Sequence, residues 1–315
     1  MSTSTVDRRI RALRPPKPFV DPRRAHGWLV EDERRPNGAR ERALTVFLAG
    51  AECPFTCAFC DLWRWTIDGP TPEGALPAQL EAVFGALDGA WPERLKLYNA
   101  SNFFDRRAVP PGDLPRIAAL AAPFRGVTVE SHATTVGAST LAFARLIPGR
   151  LEVAMGLETI HPVAAKELNK RLDLTRFDEA ARFLVSNEVD LRVFVLLGVP
   201  HVPAEESVAS TVSTVEYAVI RGAAVIWIIP VRGGNGEMER LQASGAFIPP
   251  TLRQLESALD HCLQFGSAVV TADLWDVDKL SACSECRPAR VERLRRINMG
   301  GQSAPAVVCG SCGNC

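Results

Sequence analysis

Three cysteines stand in one short stretch, Cys53-Pro54-Phe55-Thr56-Cys57-Ala58-Phe59-Cys60. Cysteine sulfur is the usual ligand of iron–sulfur clusters, and three thiolates on one loop suit three irons of a cubane. The fourth iron is then open to a small molecule, which turns an electron store into a reagent. Two other readings fit less well. Zinc knuckles pair C-x2-C units with a histidine or a second pair, and no histidine lies near 53–60. A disulfide framework needs an even set and an oxidising route, and no apolar leader precedes this region.

A second group closes the chain: Cys283-x2-Cys286, then 22 residues, then Cys309-x2-Cys312-x2-Cys315. Two C-x2-C pairs at this separation make a four-thiolate metal site. Zinc would use four of the five cysteines; a second iron–sulfur cluster would use four, or three with an open iron. Cys262 has no partner nearby and reads as a small buried hydrophobe.

These groups must be positioned by a folded frame. The chain has 315 residues, 47% of them hydrophobic, a globular value and a length normal for one α/β barrel. About 75% of the extended surface should be buried at this size. No apolar run approaches the roughly 20 residues of a membrane span. Nine cysteines without a secretion signal point to a reducing cytoplasm. Net charge is zero, yet residues 1–42 hold 11 Lys or Arg against six Asp or Glu. This basic, proline-rich arm either contacts an RNA backbone or wraps the domain as a solvated extension, the second being favoured.

From Leu44 onward, strand runs at 44–49, 94–99, 126–131, 151–157, 190–198 and 223–230 alternate with helical patterns at 75–89, 113–122, 138–146, 174–187 and 204–221, and a last helix follows at 251–265. Six strand–helix units imply a parallel sheet with right-handed crossovers. The fold class expected is α/β: a partial (β/α)6 barrel over 44–275, an N-terminal arm over 1–43 and a cysteine-rich metal-binding tail over 276–315. Chemistry in such sheets gathers at the carboxyl ends of the strands. The cysteine loop follows the first strand. Tyr98, Asn99, Ser101 and Asn102 follow the second; Glu130 and His132 the third; Glu158 and His161 the fourth; Gly198 and His201 the fifth; Arg232 and Asn235 the sixth. The histidines, Arg232 and Asn235 are the candidates for substrate contacts.

The C-x3-C-x2-C spacing, with Phe59 before the last cysteine, resembles the signature of the radical S-adenosylmethionine (radical SAM) superfamily. The resemblance covers about residues 44–275 and implies a partial barrel, a [4Fe–4S] cluster on Cys53, Cys57 and Cys60, and S-adenosyl-L-methionine chelated at the open iron. Reductive cleavage there releases a 5′-deoxyadenosyl radical that abstracts hydrogen from a substrate. The stretch after the second strand then holds the methionine amine, although the family's usual Gly-Gly-Glu is replaced here by Asn99-Ala100-Ser101-Asn102. Glu130 or Glu158 holds the ribose, or else pairs with an arginine such as Arg192 or Arg232, and Gly198 lies near adenine. The chain looks most like the elongator/methylthiotransferase-type branch. Tyr98-Asn99-Ala100-Ser101-Asn102-Phe103-Phe104-Asp105 and Gly156-Leu157-Glu158-Thr159 resemble the radical SAM subunit of archaeosine synthase, which implies a modified tRNA base as substrate. A flavodoxin- or ferredoxin-like donor would supply the electron. A radical enzyme acting on a small molecule or peptide, and a non-catalytic metal or electron-transfer protein, are the alternatives.

Overall fold

The apolar runs form consecutive parallel strands. A computed structural model, which describes residues 4–312, places β2 (Arg40–Phe47), β3 (Arg94–Tyr98), β4 (Gly126–Glu130), β5 (Arg150–Glu158), β6 (Asp190–Leu197) and β7 (Val225–Pro230) side by side in that order. These are the six strands expected. Two more extend the sheet to eight: β1 (Gly27–Arg34), antiparallel to β2, and β8 (Val269–Ala272), parallel to β7. Residues 27–34, assigned to the arm from sequence, are therefore part of the sheet.

Helices α2 (Ala75–Gly85), α3 (Leu114–Ala121), α4 (Ala138–Leu146), α6 (Leu174–Ser186), α7 (Ser207–Ile220) and α9 (Leu252–Cys262) cover the outer face. Alternate strand residues such as Leu44, Leu95, Val127, Val153, Val193 and Ile226 meet Leu80, Ile117, Phe143, Phe177, Val215 and Leu259 in one buried core. Cys262 belongs to it. Shorter helices α5 (Pro162–Glu167) and α8 (Glu237–Ala243) lie in the loops after β5 and β7, and α1 (Thr5–Leu13) in the arm.

The opposite face is charged, which the apolar runs did not foretell. Lys96 Nζ meets Glu31 at 2.6 Å and Glu33 at 2.5 Å. Arg192 joins Glu33 at 2.9 Å and Glu152 at 2.7 Å. These residues come from β1, β3, β5 and β6, which do not all adjoin, so the sheet must curl to bring them together. Lys96 and Arg192 also lie 4.9 and 5.0 Å from the centre of the Trp227 ring. The concave side thus carries an ionic floor below the strand ends.

The open side is bridged by α10 (Arg287–Gly300). Asn298 donates to the Ala272 carbonyl at 2.8 Å and accepts its N–H at 2.9 Å, satisfying backbone groups on the edge strand β8. The Asn298 carbonyl accepts from Arg34 of β1 at 3.5 Å. Among the described residues no helix is long and apolar enough to cross a membrane.

Candidate active site

The cysteine loop leaves the carboxyl end of β2, and its three thiols are half-buried. Burial pushes Cys57 up to about 12 and raises Cys53 and Cys60 as well. A thiolate there needs a cation beside it. Asn235, expected at the substrate, supports this loop: its Nδ2 donates to the Ala58 carbonyl at 2.7 Å and the Cys60 carbonyl at 3.2 Å.

Asn102, after β3, donates to Cys53 Sγ at 3.5 Å and accepts the His132 N–H at 2.8 Å. The His132 ring stacks on Phe55 of the cysteine loop, centroids 4.1 Å apart. Its Nδ1 accepts from the Thr134 N–H at 3.2 Å, which leaves Nε2 to donate to the Lys170 carbonyl at 3.2 Å. Burial, then the Lys170 charge, push His132 down to about 4, so it is neutral at pH 7.

Both acids have partners within the protein. Glu130 Oε1 accepts the Asn99 N–H at 2.9 Å, with further backbone donors from Ala100 and Ser101. Burial outweighs these donors and raises it to about 7. Glu158 pairs with Lys170, not with an arginine. Arg192 belongs to the ionic floor, and Arg232 pairs with Asp273 at 2.6 Å and with the Trp275 carbonyl. Glu158 adopts a left-handed backbone (φ 67°) at a register shift in β5. Gly156 makes the pair possible, since a side chain there would overlap both Glu158 and Lys170.

Lys170 was not among the residues singled out from sequence. Burial disfavours its charge, but Glu158 and Cys57 more than restore it, so it remains an ammonium beside the cysteines. Gly198 (φ 76°) packs against Pro250, where an added Cβ would come within 2.7 Å. His161 caps α5 by accepting the Ala164 N–H at 3.2 Å, and the His201 N–H donates to the Ala246 carbonyl at 2.7 Å. His161 thus bonds within its own loop, His201 to the segment after α8, and Arg232 to β8's exit.

Several polar atoms at the exit of β3 are buried without a protein partner: Tyr98 Oη, both polar side-chain atoms of Asn99, and Ser101 Oγ. Buried polar groups are nearly always hydrogen-bonded, so these four atoms need partners that the protein itself does not supply. Donors and acceptors of this kind, with the Lys170 ammonium, fit the amine, carboxylate and hydroxyls of S-adenosylmethionine.

The structure is similar to that of Elp3 from the archaeon Methanocaldococcus infernus lacking residues 1–46, with a TM-score of 0.52 at 11% identity over 71% of this chain and 58% of that one. The chain shares the fold of that protein. It also superposes on SuiB from Streptococcus suis (TM-score 0.49, 12% identity, 71% of this chain and 47% of that). Coproporphyrinogen III oxidase HemN from Escherichia coli gives a TM-score of 0.45 at 12% identity over 69% of this chain and 50% of that one. The chain spans less than two thirds of each of these structures. At such identities the likeness is one of fold. No protein-family model and no curated protein matches the sequence.

The tail forms a second centre. The sulfurs of Cys283, Cys286, Cys309 and Cys312 all lie within 4.8 Å of one another, with Cys283–Cys309 at 3.8 Å and Cys286–Cys312 at 3.7 Å. Backbone N–H groups of Cys286 and Glu285 lower the Cys283 pKa, favouring the thiolate. Cys315 lies outside the described residues.

Proposed function

We propose that this protein is a radical SAM enzyme, with a [4Fe–4S] cluster on Cys53, Cys57 and Cys60 and S-adenosylmethionine across the exits of β3 to β6. The four orphaned polar atoms of Tyr98, Asn99 and Ser101, next in chain to the residue that touches Cys53, support this reading most directly. When bound, the cluster and nucleotide supply a 5′-deoxyadenosyl radical for hydrogen abstraction. The protein's part is to bind and orient. Lys170 neutralises the methionine carboxylate, Tyr98, Asn99 and Ser101 take the polar groups of the nucleotide, and Glu158, freed in part from Lys170, accepts from the ribose. The stacked pair Phe55–His132 keeps water from the cysteine loop. A flavodoxin- or ferredoxin-like donor in a reducing cytoplasm would supply the electron.

Anaerobic reconstitution followed by addition of S-adenosylmethionine and dithionite tests the reading. It requires 5′-deoxyadenosine from the wild type and none from Cys57→Ala. A wild type that loads iron and sulfide but forms no product returns the protein to the non-catalytic class.

For the substrate we carry forward a modified tRNA base, supported by the likeness of residues 98–105 and 156–159 to the archaeosine synthase subunit. The basic arm no longer adds to that case. Arg9 pairs with Glu237, Arg14 with Glu52 and Lys17 with Asp68, at 2.9, 2.8 and 3.0 Å. The alternative is a small molecule or peptide. Binding to bulk tRNA that weakens steeply with salt supports RNA, and its absence supports the alternative.

For the tail we propose a single tetrahedral ion, zinc by preference. A tetrahedron with Zn–S bonds of about 2.3 Å has sulfur–sulfur edges of about 3.8 Å. In a cubane each thiolate binds its own iron, and the sulfurs stand about 6 Å apart. The spacings of 3.7 and 3.8 Å match the single ion.

A further inference from the structure

The first turn of the N-terminal helix meets the cysteine loop. We propose that Asp7 of α1 is a positioning residue for the iron–sulfur site, tying the loop of Cys53, Cys57 and Cys60 to the segment that carries Lys170. The inference rests on the cluster reading above.

Asp7 is only 4% exposed, although it belongs to a basic arm. Its Oδ1 accepts from the Thr56 hydroxyl and from Asn169 Nδ2, the latter at 3.0 Å. Its Oδ2 accepts the Ser4 N–H at 3.0 Å and the Arg171 guanidinium. Thr56 directly precedes Cys57, while Asn169 and Arg171 flank Lys170. The two segments also touch directly: Asn169 Nδ2 donates to the Thr56 carbonyl at 2.9 Å, and the Ala58 N–H to the Leu168 carbonyl at 2.9 Å. Asp7 accepts four hydrogen bonds at this junction, two at each carboxylate oxygen.

The junction needs holding. Asn169 (φ 53°) and Arg171 (φ 58°) both occupy the left-handed region without being glycine. Such residues persist only where surrounding contacts over-determine them. Releasing Asp7 would let this turn relax, and with it the direction in which Lys170 meets Glu158 and the cysteines.

A second attachment lies at the other end of α1. The Leu13 carbonyl rests on Gly236, where no side chain fits, and Arg9 pairs with Glu237. Gly236 follows Asn235, the residue that supports the Ala58 and Cys60 carbonyls. The helix therefore grips the cysteine loop from two directions, through Thr56 and through the Asn235 turn.

The test uses the full chain, reconstituted without oxygen, with acid-labile sulfide and 400-nm absorbance as measures of the cluster. Iron release to a chelator is followed after dilution. Asp7→Ala should load a cluster and lose it about tenfold to a hundredfold faster than wild type, the range typical of groups that orient metal ligands. Lys17→Ala, on the same arm but paired to the exposed Asp68, should match wild type. Should Asp7→Ala fail to fold, Thr56→Val decides, since it removes the hydroxyl's bond to Asp7, together with the one it accepts from Asn169 at 2.9 Å, and leaves the helix cap intact; it too should release iron faster. Wild-type release rates in Asp7→Ala, or in Thr56→Val where Asp7→Ala does not fold, overturn the inference and leave the cluster reading standing. A wild type that takes up no sulfide overturns the cluster reading itself.

Discussion

Asn102 touches Cys53: its Nδ2 donates to the sulfur at 3.5 Å while its Oδ1 accepts the His132 N–H at 2.8 Å. One side chain thus joins the exits of β2, β3 and β4. A donor on a ligating sulfur stabilises the reduced, more negative cluster. Asn102→Ala should therefore lower the cluster's reduction potential, by on the order of tens of millivolts. A redox titration followed by electron paramagnetic resonance reads this, and an unchanged potential would detach Asn102 from the site.

The Glu158–Lys170 pair predicts a cycle of stabilities. Both side chains are largely buried, at 6% and 12% exposure. Removing one partner leaves the other charge buried alone, a loss of about 3 to 5 kcal/mol. Lys170→Met should cost that much in urea unfolding of the metal-free protein. Lys170→Met combined with Glu158→Gln should recover most of it. A double variant as unstable as the single one would show that the pair is not what Lys170 contributes. Gly156→Ala should act in the same direction as Lys170→Met, because its methyl would occupy the space of the pair.

Glu130 predicts a pH dependence. Burial raises its pKa from 4.5 to about 7 in the folded state. The folded form therefore favours the protonated acid. Its stability contribution is complete below the unfolded value and is lost as pH rises through about 7. The span corresponds to roughly 3 kcal/mol. In the metal-free protein, wild type should lose stability relative to Glu130→Gln between pH 4.5 and 7.5. Parallel stability curves for the two proteins would contradict the raised pKa.

The parts of this arrangement that were legible in the chain are those written locally. Leu191–Leu197 is so apolar that β6 could hardly be read otherwise, and the spacing of Cys53, Cys57 and Cys60 carries its own chemistry. β1 escaped because Gly27–Arg34 is charged; Glu31 and Glu33 are there to meet Lys96 and Arg192, residues more than 60 and 150 positions away. Lys170 escaped for a related reason. It sits between α5 and α6 in a polar run, and only the bulge at Gly156–Glu158 gives it a partner. Asn235 and Arg232 read as substrate contacts because they follow a strand; their partners, Ala58, Cys60 and Asp273, come from other loops that the fold brings near. Strand ends mark where a rim is, but which side chain on it is already occupied depends on contacts between distant segments.

The tail ion should be separable from the cluster. Its four sulfurs are gathered by two chain segments, one just before α10 and one well after it, with Cys286 at the helix N-terminus. Metal bound there closes the loop 283–312 and fixes α10, whose Asn298 holds the edge of β8 and whose carbonyl meets β1. Folding free energy and metal binding are linked in such sites. A Cys53→Ala/Cys57→Ala/Cys60→Ala variant should lack cluster absorbance and sulfide yet keep one ion per chain by elemental analysis. Cys309→Ser should do the reverse, keeping sulfide and losing that ion. It should also lower the melting temperature and speed amide exchange first in α10 and β8, ahead of β3 to β5. Exchange that rises uniformly over the sheet would mean that α10 does not depend on the ion, and iron with sulfide in the tail of the triple variant would replace the single ion by a second cluster.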